Sequence, residues 1–80
     1  MPSQKFIIIR FYEELNDFLP KEKRKKDFEY TFTGNPSIKD AIEAIGVPHP
    51  EVDLILVNGK SVDFQYNIQH NDRISFYPVF

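Results

Sequence analysis

Cysteine is absent from this chain, and so is tryptophan. Without cysteine there is no disulfide, no thiolate nucleophile and no cysteine-based zinc site. The absence is compatible with a reducing compartment, and a cytoplasmic location is expected. Glycine is scarce. Gly34, Gly46 and Gly59 stand apart, each with a turn or helix-end role, so there is no glycine-rich phosphate loop. The two histidines, His49 and His70, lie in separate stretches with no second ligand at metal spacing on one regular element. Apolar runs such as Phe6-Ile7-Ile8-Ile9 stop at four residues. A bilayer span needs about 20, and a signal-peptide core also needs more than four. Ser3, Ser37, Ser61 and Ser75 sit in no nucleophile motif, and the adjacent Glu13 and Glu14 point different ways on a helical turn. The sequence therefore leads to no catalytic residues, no metal, no cofactor, no membrane contact and no small-molecule substrate.

What is present is a short, aromatic-rich chain. Eighty residues make one domain, residues 1–80, and the net charge of −2 marks neither a nucleic-acid binder nor an acidic tail. A domain of this size buries only about 60 to 65% of the surface its unfolded chain exposes. Eight Phe and four Tyr offset that small core, because each ring buries a large area.

Alternation and punctuation give the elements. Residues 5–12, KFIIIRFY, read as a strand with Ile7, Ile9 and Phe11 on the core face and Phe6, Ile8, Arg10 and Tyr12 on the other. Leu15, Phe18 and Leu19 have helical spacing, so one amphipathic turn is expected before Pro20. Residues 27–33, DFEYTFT, alternate cleanly and place Phe28, Tyr30 and Phe32 inward. The connection is too short for a parallel crossover, so these first two strands pair antiparallel. Ser37, with Asp40 three residues on, forms a helix start close to a capping box. Ile38, Ala41, Ile42 and Ile45 make one apolar stripe, and Gly46 and Pro48 end a helix of about three turns.

A rigid loop over residues 49–53 leads to the strand Leu54-Ile55-Leu56-Val57, and Asn58-Gly59 signals a tight type I′ hairpin into residues 60–64. Val62 and Phe64 are core candidates, and Tyr66 and Ile68 would anchor a lid over the sheet edge. Asp63 and Asp72 are suited to bond turn amides. A last strand runs from Arg73 to about Phe80, with Ile74 and Phe76 inside and Arg73, Ser75 and Tyr77 outside. Beside the first strand is the position that buries both. The result is an α+β fold, the ubiquitin-like β-grasp: a mixed sheet of four to five strands with one helix across it.

Two surfaces could carry function. Phe6, Ile8, Arg10, Tyr12 and Tyr77 put more apolar area on the outer sheet face than a solvated face needs, which marks a partner surface unless the domain's own side chains cover it. Lys21, Lys23, Arg24, Lys25 and Lys26, with Glu22, form a run of net charge +4 that could contact RNA phosphates. The composition favours a solvated loop there, because no aromatic is interleaved for base stacking.

VNG-x-x-V-D (Val57 to Asp63) followed by N-D-R-I-x-F-Y-P (Asn71 to Pro78) resembles the C-terminal half of the β-grasp sulfur carriers, the molybdopterin-synthase small subunit and the thiamine sulfur carrier. In those families a glycine stands where this chain has Asn71, and a Gly-Gly tail becomes a thiocarboxylate. This chain ends Pro78-Val79-Phe80, so carrier chemistry is not expected on it as given. A similar VNG-x-x-V-D turn occurs in β-grasp domains attached to threonyl-tRNA synthetases. A fuller resemblance runs over residues 5–80. It rests on IRFYEELNDFLP (9–20), PSIKDAIE (36–43), GVPH (46–49), EVDLILVNG (51–59) and YPVF (77–80). These resemble the bacterial ubiquitin-like domain that precedes a Mut-seven-type C-terminal ribonuclease domain.

That resemblance implies a non-catalytic interaction module, accessory to a PIN-like nuclease that is its own downstream domain, with RNA contact as the alternative. It also implies a domain excised from a longer protein. Reading the source gene past the codon for Phe80 is then expected to reveal a further domain of roughly 150 residues with clustered aspartates and cysteine pairs. A stop codon there would leave a free-standing adaptor, and a short Gly-Gly tail would point to sulfur transfer.

Overall fold

In the computed structural model, which describes residues 4–79, two edge-to-edge hairpins are joined through a parallel pair at the centre of one sheet. The strands are β1 (Lys5–Phe11), β2 (Phe28–Phe32), β3 (Val52–Val57), β4 (Lys60–Ser61) and β5 (Arg73–Pro78), with one helix, α1 (Ile38–Ile45), between β2 and β3. Their order across the sheet is β2-β1-β5-β3-β4. β1 is antiparallel to β2, β3 is antiparallel to β4 and β5, and β1 runs parallel to β5. This is the β-grasp arrangement expected from the element order, with the last strand beside the first. Phe80, the expected limit of the last strand, lies outside the described residues, and β5 ends at Pro78.

Alternation decides the two faces. Ile7, Ile9 and Phe11 from β1 and Ile74 and Phe76 from β5 are almost fully buried. They pack with Ile38, Ala41 and Ile42 of α1 and with Leu15, Leu19, Val47 and Ile68 from the connections. Phe11 stacks on Phe76 with ring centroids 4.7 Å apart. The full capping box is present: the Ser37 hydroxyl accepts from the Asp40 amide, and the Asp40 carboxylate accepts from the Ser37 amide. A cap of this kind stabilises a helix by about 1 kcal/mol. Gly46 ends α1 at φ 110°, a left-handed conformation that other residues adopt only with strain. The helix has eight residues. It is therefore a little over two turns rather than three, since Gly46 closes it one residue after the last apolar position.

Other segments depart from sequence expectation for local reasons. Residues Glu13–Phe18 form a 3-10 helix, not an α-helical turn. Leu19 beyond it is extended, so Leu15 and Leu19 are buried while Phe18 is left 40% exposed. The 49–53 loop contains a 3-10 turn over His49–Glu51, and β3 already begins at Val52. β4 has only two residues, and Val62 and Phe64 are half-buried against the core. The stretch around Tyr66 and Ile68 is not a lid on the sheet edge. Its backbone bonds the start of α1, with the Ile38 amide donating to Tyr66 O (2.9 Å) and the Ile68 amide to Pro36 O (3.1 Å).

The entry to β5 is fixed by a buried carboxylate. Asp72 accepts from Asn58 Nδ2 (2.9 Å), Tyr66 Oη (2.8 Å) and the Gln69 amide (2.9 Å). Burial and the adjacent Asp72 charge push the Tyr66 phenol above its ordinary range. Asn58 also accepts from the Arg73 amide through Oδ1 (2.9 Å). Asn58 and Gly59 both have positive φ, 51° and 85°, as a type I′ turn demands. Asn71 takes φ 74°, the conformation that a glycine would take without strain.

Two stability predictions follow from these turns. Asn71→Gly should leave unfolding free energy within about 0.5 kcal/mol of the parent, whereas Asn71→Val should cost about 1 to 2 kcal/mol in a denaturant titration. Equal effects would show that the left-handed conformation is not what constrains this site. After α1, Glu43 Oε2 accepts from the His49 amide (2.8 Å) and sits 2.9 Å from His49 Nδ1, and these contacts hold its carboxyl below the usual range. A lowered carboxyl stabilises the fold at neutral pH and loses that contribution as pH falls through its folded pKa. Glu43→Gln should therefore lower the melting temperature at neutral pH, and the gap should close as the pH falls through the carboxylate range. A gap independent of pH would contradict this.

Candidate functional site

The sheet face away from α1 carries the first group of sequence-selected residues. β1 presents Phe6, Ile8 and Arg10, and β5 presents Arg73, Ser75 and Tyr77, with Tyr12 following β1. All are half-buried or exposed. Register sets Ile8 beside Arg73 and Arg10 beside Ser75. The five selected residues do not form one uniform apolar patch. Phe6 meets the edge of the His70 ring at 4.6 Å, and the Phe6 amide donates to His70 Nδ1 (3.1 Å). Tyr12 and Tyr77 stack nearly parallel at 4.6 Å, and the Arg10 guanidinium lies 5.2 Å from the Tyr12 ring centre. The aromatics are thus partly covered by one another, which leaves Ile8 and Arg10 at the middle of the face.

Sequence reasoning missed three contributors. β3 has an irregular register between Val52 and Leu54. Past it, Leu54 lies opposite Tyr77 and Leu56 opposite Ser75, while Ile55 and Val57 go to the core. Leu54 is 39% exposed and adds apolar area to this face. Alternation counted back from Val57 would have placed Leu56 there. The third is Asp27. It bonds Arg73 Nη1 at 2.6 Å and lies 3.9 Å from Arg10 Nη1. Two guanidinium groups therefore share one carboxylate, and the Arg10 Nε is buried without a hydrogen-bond partner.

The basic run lies in the connection between β1 and β2. A buried side chain, Asn16, holds that connection in shape. Its Nδ2 donates to Phe11 O (3.0 Å) and Glu13 O (2.9 Å), and its Oδ1 accepts from the Lys25 amide (2.7 Å). The five cations are not equivalent. Arg24 Nε donates to Leu19 O (2.8 Å), and the Lys23 ammonium lies 5.3 Å from the Phe28 ring centre. Lys21, Lys25 and Lys26 are exposed. Lys25 lines a groove with Arg10 and Tyr12, but Glu13, Glu14 and Asp17 line it too. Lys23 and Arg24 thus make contacts within the fold and Lys25 lines an acid-bearing groove, while Lys21 and Lys26 are exposed.

Among the described residues no cluster of three metal-ligating side chains occurs, and no helix is long and apolar enough to cross a membrane. His49 is engaged by Glu43 and packs edge-on to Phe64, while His70 is engaged by Phe6.

The architecture is shared with solved structures. The crystal structure of H. volcanii small archaeal modifier protein 1 matches with a TM-score of 0.69 at 13% identity, covering 95% of this chain and 99% of that one. A crystal structure of SAMP1 from Haloferax volcanii matches with a TM-score of 0.67 at 13% identity, covering 94% and 96%. The fold is that of a ubiquitin-like β-grasp domain. The Mut7-C ubiquitin family matches residues 4–80, and the chain belongs to that family. No curated protein matches it.

The Asn16 contacts yield a direct test. Asn16→Ala leaves the Lys25 amide and the Phe11 and Glu13 carbonyls without this partner, which should cost about 2 kcal/mol. It should also raise hydrogen exchange across residues 21–26 well above that of β1. Unchanged exchange there would show that the connection is held by other contacts.

Proposed function

We propose that this domain is a non-catalytic docking module that binds a protein partner through the outer face of its sheet, around Ile8 and Arg10. The observation that carries the reading is the exposed Leu54 and the half-buried Ile8 and Leu56 on the same face as a pair of arginines, a face with no fully buried residue among those named. Isolated exposed leucines are ordinary, but here Ile8 on β1 and Leu54 and Leu56 on β3 flank the Arg73, Ser75 and Tyr77 row of β5 on one face of the sheet. A mixture of aliphatic side chains, tyrosine and arginine is also the composition enriched in protein interfaces.

The partner proposed is the ribonuclease-type domain that the sequence resemblance implies, either later in the same protein or on another chain. In this reading the module positions or recruits the nuclease and does no chemistry itself. Contact of Lys21, Lys25 and Lys26 with RNA is a lesser reading, since Lys23 and Arg24 are engaged within the fold.

The double variant Ile8→Ser with Arg10→Glu tests the docking face. Both positions are only half-buried, so the melting temperature should change little. Affinity for the nuclease half, read by calorimetry, should fall at least tenfold. Binding unchanged in a variant that remains folded would remove the outer face from the account.

A further inference from the structure

We infer that the outer face takes an acidic, partly aliphatic peptide segment, one carboxylate of which sits between Arg10 and Arg73 in the position now held by Asp27. The inference rests on the docking reading and specifies the chemistry of the partner.

Three observations converge on it. First, the charge is unbalanced where it matters. Arg10 and Arg73 face a single carboxylate, Asp27, which bonds Arg73 at 2.6 Å but reaches Arg10 only at 3.9 Å. The buried Arg10 Nε has no hydrogen-bond partner in this arrangement. A guanidinium is built to bind carboxylate through two parallel N–H groups, and neither side of Arg10 is satisfied in that way. Second, the place is concave. Ile8, Arg10, Tyr12, Asp27, Arg73 and Ser75 line a cleft of about 250 Å³, enough for one side-chain carboxylate and its neighbouring backbone. Third, the half-buried Leu56 lies opposite Ser75 of the cleft, and the exposed Leu54 follows on the same face of β3, where both suit an aliphatic side chain from the same segment.

The same geometry disfavours a nucleic acid at this spot. Phosphates would satisfy the arginines, but bases need free aromatic faces. One face of Tyr12 is stacked on Tyr77 and the ring also carries the Arg10 guanidinium, so Tyr12 offers no open platform.

Asp27 makes the idea testable by sign. If it is only the structural partner of the arginines, its loss and theirs should act alike. If it occupies the place of a partner's carboxylate, neutralising it should help binding and neutralising an arginine should hurt. The ion pairs are largely exposed, with side-chain accessibilities of 39 to 65%, so none of these changes should unfold the domain.

The experiment is selection of random dodecapeptides displayed on phage against the folded domain, followed by affinity measurement of the selected peptides at low and high salt. The expected peptides are enriched in Asp or Glu next to Leu or Ile. Their affinity should fall about tenfold with Arg73→Ser, rise severalfold with Asp27→Asn, and weaken with salt. Lys21→Gln with Lys26→Gln should leave it unchanged. Peptides that depend on Ile8 but show no acidic enrichment, or respond alike to Arg73→Ser and Asp27→Asn, would overturn the carboxylate site and leave the docking face standing. Peptides indifferent to Ile8→Ser would overturn both. Failure to select any peptide would overturn the proposal, as would oligouridylate binding that is lost in Arg73→Ser.

Discussion

Parallel pairing of β1 with β5 is the constraint on which the rest of this domain depends. The two strands are separated by most of the chain, so joining them closes a long loop at an entropic cost. That cost is offset by burial at the sheet centre, where Ile7, Ile9 and Phe11 meet Ile74 and Phe76 under α1. The pairing begins with a backbone bond from the Ile8 amide to Asp72 O (2.9 Å). The Asp72 side chain is tied in turn to Asn58, Tyr66 and Gln69. One buried carboxylate thus sets the start of the last strand relative to a hairpin turn and a loop. A satisfied network of this kind is costly to break, because each lost donor leaves the buried Asp72 carboxylate less well satisfied.

The proposed docking face is a consequence of that same pairing. Register alone puts Arg73 beside Ile8 and Ser75 beside Arg10, although these residues are far apart in sequence. β2, antiparallel to β1, then brings Asp27 to within reach of both arginines. A slip of one residue would exchange the faces and send Arg10 toward the core. Fold stability and the chemistry of the surface therefore depend on one register.

Much of this was legible in the sequence, for identifiable reasons. Clean alternation in residues 5–11 and 28–32, the Ser37–Asp40 box and the Asn58-Gly59 turn each encode local geometry in residue type, and all appear as expected. Boundaries were less legible where tertiary contacts override local preference. The 3-10 turn at Glu13–Phe18 is shaped by Asn16 reaching backbone groups of residues 11, 13 and 25, which no periodicity reveals. The site was legible only in part. Ile8, Arg10, Tyr12 and Tyr77 follow from alternation, as do Leu54 and Leu56 once Val57 is placed inward, but the β3 irregularity that turns Val52 inward and the sharing of Asp27 by two arginines are long-range facts. The basic run looked like one feature in sequence and is divided in three dimensions, with Lys23 and Arg24 turned to the fold.

The central claim is that the outer sheet face, not the basic connection, meets the partner. Amide chemical shifts recorded while the proposed partner, a ribonuclease-type domain, is titrated into the labelled protein test it most directly. The account predicts that the largest changes cluster on Ile8, Arg10, Leu56, Ser75 and Tyr77. Changes confined to residues 21–26, or to α1, would contradict it.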